Sequence, residues 1–163
     1  GGESLFVNHF TNNTGEPKRV TLVQPTPGNS REIQLNGQEY CLQPGAFIAC
    51  TPDVNFGIKW AGIKSWFAKE GLFKLTVSGN GTVWYGAYGG LLEKEVDGEY
   101  IVDTGHLVAY EPQMNLNIQL AGGLFGSLFG GEGFVSRLEG KGKIVIQTRS
   151  LSGLADWVNP MLH

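Results

Sequence analysis

Any chemistry in this 163-residue sequence would have to start from three histidines, two cysteines, a few serines and 15 acidic residues. A catalytic metal held by β-strands needs a His-x-His pair, a Glu close behind and a later His, all converging on one ion. His9, His106 and His163 are far apart and never paired, so no metal ligand is assigned. His106 stands where Ala46 stands sixty positions earlier, which points to a structural or surface role. Ser65, Ser127 and Ser152 lack the Gly-x-Ser-x-Gly context of a nucleophile elbow. Cys41 and Cys50 flank Pro44-Gly45, and two cysteines in a chain of this size do not make a disulfide framework. Both are expected to be reduced, partly buried thiols. No catalytic residue and no cofactor site follow from these patterns.

The carboxylates and glycines that do stand out recur. Glu3, Glu70 and Glu132 open similar segments, as expected of a carboxylate that accepts backbone N–H bonds at the start of a strand rather than of a single catalytic pair. Gly79-Asn80-Gly81 and Gly140-Lys141-Gly142 do not precede a helix as a phosphate cradle requires, and read as hairpin turns. Asn36-Gly37 and Asp97-Gly98 carry the dipeptide signature of two-residue hairpins. Behind these lies a longer repeat. Glu39-Tyr40, Gly45, Ala49, Pro52, Asn55, Ile58 and Ala61-Gly62 return sixty positions later as Glu99-Tyr100, Gly105, Ala109, Pro112, Asn115, Ile118 and Ala121-Gly122. Recurrence at this spacing marks a copied supersecondary unit. Asn55 and Asn115 then read as turn or backbone caps.

The elements that position these residues are short strands. Val, Ile, Phe, Tyr and Thr alternate between turn signals, and 25 glycines are about twice the usual share. Helical spacing is confined to Ile63, Trp66 and Phe67, to Leu124 through Phe129, and to a tail over Leu151 to Val158 that ends before Asn159-Pro160. The fold class is all-β, a tandem-repeat β-sandwich or double-stranded β-helix. The expected organisation is a single domain over 1–163: a partial repeat at 1–30, full repeats at 31–92 and 93–155, and a tail at 156–163. In the partial repeat, Asn12 to Gly15 is the turn and Val20 to Val23 the return strand. Core packing is the expected job of Trp60, Trp66, Trp84 and Trp157.

Net charge is −3, from 12 basic and 15 acidic residues. Nucleic acid is not an expected partner, because binding it takes a basic face. Glu93, Glu95, Asp97, Glu99 and Asp103 alternate as a solvated strand face does. No apolar run reaches the length of a spanning helix, and no leader precedes Gly1, so a cytoplasmic location is expected, with peripheral membrane contact the variant.

Gly2-Glu3-Ser4-Leu5-Phe6, Asp103-Thr104-Gly105-His106-Leu107-Val108-Ala109 and Gly130-Gly131-Glu132-Gly133-Phe134 through Gly140, Ile144 and Gln147 carry a family likeness. In these segments the chain resembles the mitochondrial biogenesis (altered inheritance of mitochondria) family, which is grouped with the tryptophan RNA-binding attenuation protein-like (TRAP-like) fold. The resemblance implies a TRAP-like tandem β-sandwich, a homotrimer, and an assembly or scaffolding role such as the mitochondrial branch has for inner-membrane complexes. The RNA-binding relative uses a ladder of basic residues, which this chain lacks, so neither RNA nor tryptophan binding carries over.

One segment resists a purely structural reading. Leu124, Phe125, Leu128 and Phe129 sit among glycines where a connector belongs, and the matching stretch carries Trp66 and Phe67. Burying four such side chains contributes on the order of 6–12 kcal/mol before entropy costs, so a self-association contact, another protein or a membrane surface is expected to cover them if the fold does not. The leading expectation is a non-enzymatic, oligomeric β protein. A small-ligand module with its site between subunits or repeats is the alternative, and a cupin-type metalloenzyme the third reading.

Overall fold

The computed structural model describes residues 7–60, 73–120 and 134–162. Within them run nine antiparallel strands: β1 (Ser30–Asn36), β2 (Tyr40–Leu42), β3 (Phe47–Cys50), β4 (Val54–Trp60), β5 (Phe73–Gly86), β6 (Leu91–Asp103), β7 (Leu107–Tyr110), β8 (Asn115–Leu120) and β9 (Phe134–Gln147). One helix, α1 (Leu151–Val158), follows. The fold is all-β.

Two long strands organise the rest. The first half of β5 pairs with β2 and β4, and its second half with β1 and β3. β9 does the same with β8, β7 and the length of β6. The two register sets run in step, 61 positions apart on the long strands: Ser30 faces Gly86 as Leu91 faces Gln147, and Asn55 faces Ser78 as Asn115 faces Glu139. Even the irregularities match, with register shifts between Phe47 and Ala49 and between Leu107 and Ala109. β2 and β7 join the two sets, Cys41 opposite Tyr110 and Leu42 opposite Ala109.

Two cores lie on opposite faces of the β2–β7–β9 path. Leu42, Val77, Val83, Val108, Ala109 and Val145 belong to one, and Cys41, Leu107, Tyr110, Leu138 and Ile144 to the other. Neighbours in sequence therefore point into different cores, as strand alternation demands. A strand dry on both faces reads as an unbroken apolar run, and Leu107-Val108-Ala109-Tyr110 is fully buried. The shift between Leu107 and Ala109 sends two successive residues, Val108 and Ala109, to the same side.

The turn expectations need correction. Asp97-Gly98 is the middle of the 13-residue β6, with Gly98 opposite Gly140. Gly79-Asn80-Gly81 and Gly140-Lys141-Gly142 lie inside the 14-residue β5 and β9. Asn36-Gly37 closes β1 at a bulge, three residues before β2 resumes pairing with the same long strand. The glycines are needed for a different reason. Gly79, Gly98 and Gly140 hold φ of +105°, +109° and +116°, the left-handed half of the backbone map that only glycine adopts cheaply. Gly79 and Gly140 mark where β5 and β9 exchange one set of partner strands for another, and the chain crowds Gly79, where a Cβ would stand 2.5 Å from the Asp53 carbonyl oxygen.

The return strand expected at Val20 to Val23 does not form. These residues are exposed and irregular, since no strand among the described residues runs alongside to complete their ladder. The turn before them does form, with Asn12 Oδ1 accepting from the Thr14 N–H at 3.0 Å and Asn12 Nδ2 donating to Glu16 O at 2.8 Å.

Gly98 offers a comparison with Gly79, because it has a similar φ but no atom within 4 Å of the place where a Cβ would stand. Gly98→Ala should cost about 1 kcal/mol from backbone strain alone, and Gly79→Ala about 3 kcal/mol because a backbone oxygen is also in the way. Urea unfolding of both variants measures this, and equal costs would remove crowding from the account.

Candidate functional site

Three of the repeated pairs singled out in sequence take equivalent places. Gly45 and Gly105 lie in single 3-10 turns, Pro44–Ala46 and Thr104–His106, that link a long edge to β3 and β7. The Gly105 N–H donates to Asp103 Oδ1 at 2.8 Å. Pro52 and Pro112 occupy exposed turns, and Asn55 and Asn115 sit exposed at the start of edge strands β4 and β8. Glu3, Glu70 and Glu132, and the apolar set Trp66, Phe67, Leu124, Phe125, Leu128 and Phe129, lie outside the described residues.

Two caps escaped the sequence reading. Thr51 Oγ1 accepts from the Thr82 N–H at 3.0 Å, and Glu111 Oε2 accepts from the Lys143 N–H at 2.8 Å. Their own N–H groups donate back to Thr82 O and Lys143 O. Both precede the repeated Pro, which was the available signal, but Thr and Glu differ too much to register as a match.

The titratable groups do not converge. Among the described residues no three His, Cys, Asp or Glu side chains gather to hold a metal ion. His106 Nδ1 lies 2.7 Å from Gln147 O; a carbonyl only accepts, so that nitrogen carries the proton. Gln147 completes the lock, its Nε2 donating to Gly105 O at 2.7 Å and its Oε1 accepting from the Tyr88 N–H at 2.8 Å. The acidic residues of β6 are solvated, with Glu93 3.1 Å from Lys143, Asp97 3.2 Å from Lys141 and Glu99 paired with Arg137. Exposed pairs of this kind contribute little. Neither Cys41, which is buried, nor Cys50, which is half-buried, is in a disulfide.

What remains is apolar surface. Helix α1 buries none of its residues. Leu151, Leu154, Trp157, Met161 and Leu162 are all exposed, Trp157 by 64%, and Leu151, Leu154 and Trp157 follow the spacing of one helical face. The helix is anchored at its start, where buried Ser150 accepts from the Gly153 N–H at 3.1 Å. Trp157 and Trp84 thus correct the expectation that the tryptophans fill the core: Trp84 is more than a third exposed on the outer face of β5. A second apolar feature is Ile101 on β6, half exposed near the end of that strand.

Residues 1–149 match the family described as mitochondrial biogenesis AIM24. The chain belongs to that family. It is 31% identical over 157 residues to an uncharacterised protein of Streptococcus pyogenes serotype M6, covering 94% of this chain and 62% of that protein. It also superposes on an X-ray crystal structure of a Streptococcus pyogenes protein with a TM-score of 0.73 at 29% identity, covering 85% of this chain and 62% of that one. The chain therefore spans less than two thirds of the length of either relative.

Tyr110 gives this AIM24-family fold a pH signature. Burial first, and then the neighbouring Cys41 thiol, raise its pKa above the ordinary 10.0, and burial does the same for Tyr40. Below pH 10 both tyrosines are neutral whether folded or not. Above it the unfolded chain releases protons that the folded chain retains, so stability falls as pH rises. Urea midpoints at pH 8 and pH 11 should show that loss, and Tyr110→Phe should reduce it. An equal loss in the variant would mean that Tyr110 ionises freely in the folded protein.

Proposed function

We propose that this AIM24-family chain is a non-enzymatic, self-associating β protein with an assembly or scaffolding role, built from tandem TRAP-like units and working as a homotrimer. The observation that carries the reading is the C-terminal helix. Eight residues are too few to hold a helix by backbone hydrogen bonds alone, and most helix stability comes from packing an apolar face. Here that face has no cover among the described residues. Burying Leu151, Leu154, Trp157 and Met161 would contribute about 1.5–3 kcal/mol each. Another polypeptide is the natural cover, because Trp and Met are favoured at the cores of protein interfaces.

No helix among the described residues is long and apolar enough to cross a membrane. The cytoplasmic location is part of the same proposal, with peripheral membrane contact through the helix as its variant. A small-ligand role has one observation in its favour: an open cavity of about 360 Å³ between Leu22, Val23, Gln24 and Ile48, where Gln24 Oε1 is buried without a hydrogen-bond partner. A thermal-shift screen with amino acids and nucleotides tests it, and silence across the panel removes it.

The helix reading predicts a concentration-dependent oligomer. Leu154→Glu and Trp157→Glu each place a charge on the exposed face and should weaken assembly at least tenfold while changing the unfolding free energy of the single chain by no more than about 0.5 kcal/mol. Sedimentation velocity across micromolar concentrations reads the outcome. A wild-type protein that stays monomeric throughout would end the proposal.

A further inference from the structure

The β2–β7 junction is an edge-to-edge strand contact whose two partners each recur elsewhere in the fold. β2 pairs its inner edge with β5, Tyr40 opposite Val77, just as Tyr100 pairs with Leu138 of β9. Cys41 and Leu42 therefore correspond to Ile101 and Val102 at the end of β6. On the other side, Ala109 and Tyr110 of β7 face Val145 and Ile144, as Ala49 and Cys50 of β3 face Trp84 and Val83. The end of β6 and the whole of β3 thus repeat the two sides of the junction. Among the described residues, neither has a strand on its outer edge.

Burial follows the pairing. Cys41, Ala109 and Tyr110, inside the junction, are 0%, 0% and 2% exposed, whereas Ile101 is 50% exposed and Ala49 and Cys50 are half-buried. Cys41 crosses the junction to pack in the core that holds Tyr110, while Cys50 lies at the margin of the other core. Cys50 is left half-buried at that margin, and Ile101 stands half exposed.

We propose that the outer edge of β6 at Tyr100–Asp103 in one copy of the chain adds antiparallel to the outer edge of β3 in a second copy, with Ile101 opposite Cys50 and Val102 opposite Ala49. The occupant is a second copy because the chain itself presents both sides of a junction that it already forms once internally. Main-chain hydrogen bonds supply the attraction, as in other strand additions. Ile101 enters the core beside Cys50 as Cys41 does beside Tyr110. The contact joins two different surfaces, so it runs head to tail and closes into a ring where the rotation permits. This rests on the self-association reading and deepens it by naming strand edges that take part beside the helix face.

The register gives a direct test. Residues opposite one another on antiparallel strands have Cα atoms about 4.5–5.5 Å apart, within the span of a disulfide. Ile101→Cys should therefore link to the native Cys50 of another copy under mild oxidation, giving covalent dimers and higher species on a non-reducing gel. The ladder should vanish when Cys50→Ser is added, and should not appear with Leu92→Cys, which is also exposed on β6 but distant from the edge in question. Ile101→Lys, a charge at an open edge, should weaken assembly at least tenfold by sedimentation without unfolding the protein, because the position is exposed in a single copy. Linkage that persists without Cys50, a disulfide closed within one chain, or no linkage at all overturns the pairing. If the wild type still assembles in that last case, self-association stands and the edge assignment alone falls; if it is monomeric, both fall.

Discussion

Everything in this fold answers to one constraint, a sheet path with no wet face. β2, β7 and the second half of β9 carry cores on both sides, so their side chains must be apolar or small and their backbone groups must be satisfied within the sheet. β2 has only three residues, yet it is paired on both edges. That sandwiching secures it: Leu42 and Cys41 are fully buried, and Gln43 extends the contact by donating its N–H to Val108 O at 2.8 Å. Placing a charge in this path would leave it with neither water nor a partner, which costs several kcal/mol.

The long strands follow from the same constraint. A layer between two cores needs an outer layer on each side, and β5 and β9 supply both by serving the central path with one half and an outer layer with the other. Each long strand carries a glycine with positive φ at the change of partners, Gly79 in β5 and Gly140 in β9. Gly79 and Gly81 in β5, and Gly140 and Gly142 in β9, sit where Thr51 and Glu111 reach across to cap the backbone of Thr82 and Lys143. A Cβ on Gly142 would stand 2.9 Å from Glu111 Oε2, so the cap and the missing side chain require each other.

These relations explain which parts of the structure were legible in the sequence. Several equivalent positions were, because Tyr40 and Tyr100 take matching pairing positions and Gly45 and Gly105 matching turns, and the residue types are the same. α1 was legible from its helical span and from Asn159-Pro160 beyond it. The glycine pairs were misread because positive φ serves a hairpin turn and a mid-strand kink equally well. Only the partner register, Gly98 against Gly140, separates the two, and register is a long-range property. Trp84 and Trp157 were misplaced for a related reason. A large aromatic residue is usually covered, but whether by its own chain or by another surface is not written in its identity. The caps at Thr51 and Glu111 were hidden because a hydroxyl and a carboxylate do the same work with no shared residue type.

Among the described residues, the outer edges of β3 and of the end of β6 have no strand beside them. Unpaired edges are a liability that proteins blunt with charge, proline or a covering segment. Much of β6 has that protection, since Glu93, Lys94, Glu95, Asp97 and Glu99 are all exposed along it. The protection stops at Tyr100, and Ile101 and Val102 follow with no charge until Asp103. β3 likewise carries Phe47, Ile48, Ala49 and Cys50 with no charged residue. The two stretches left undefended are the two whose counterparts, β2 and β7, pair with each other, so the lack of charge there coincides with a built-in means of closing the edge.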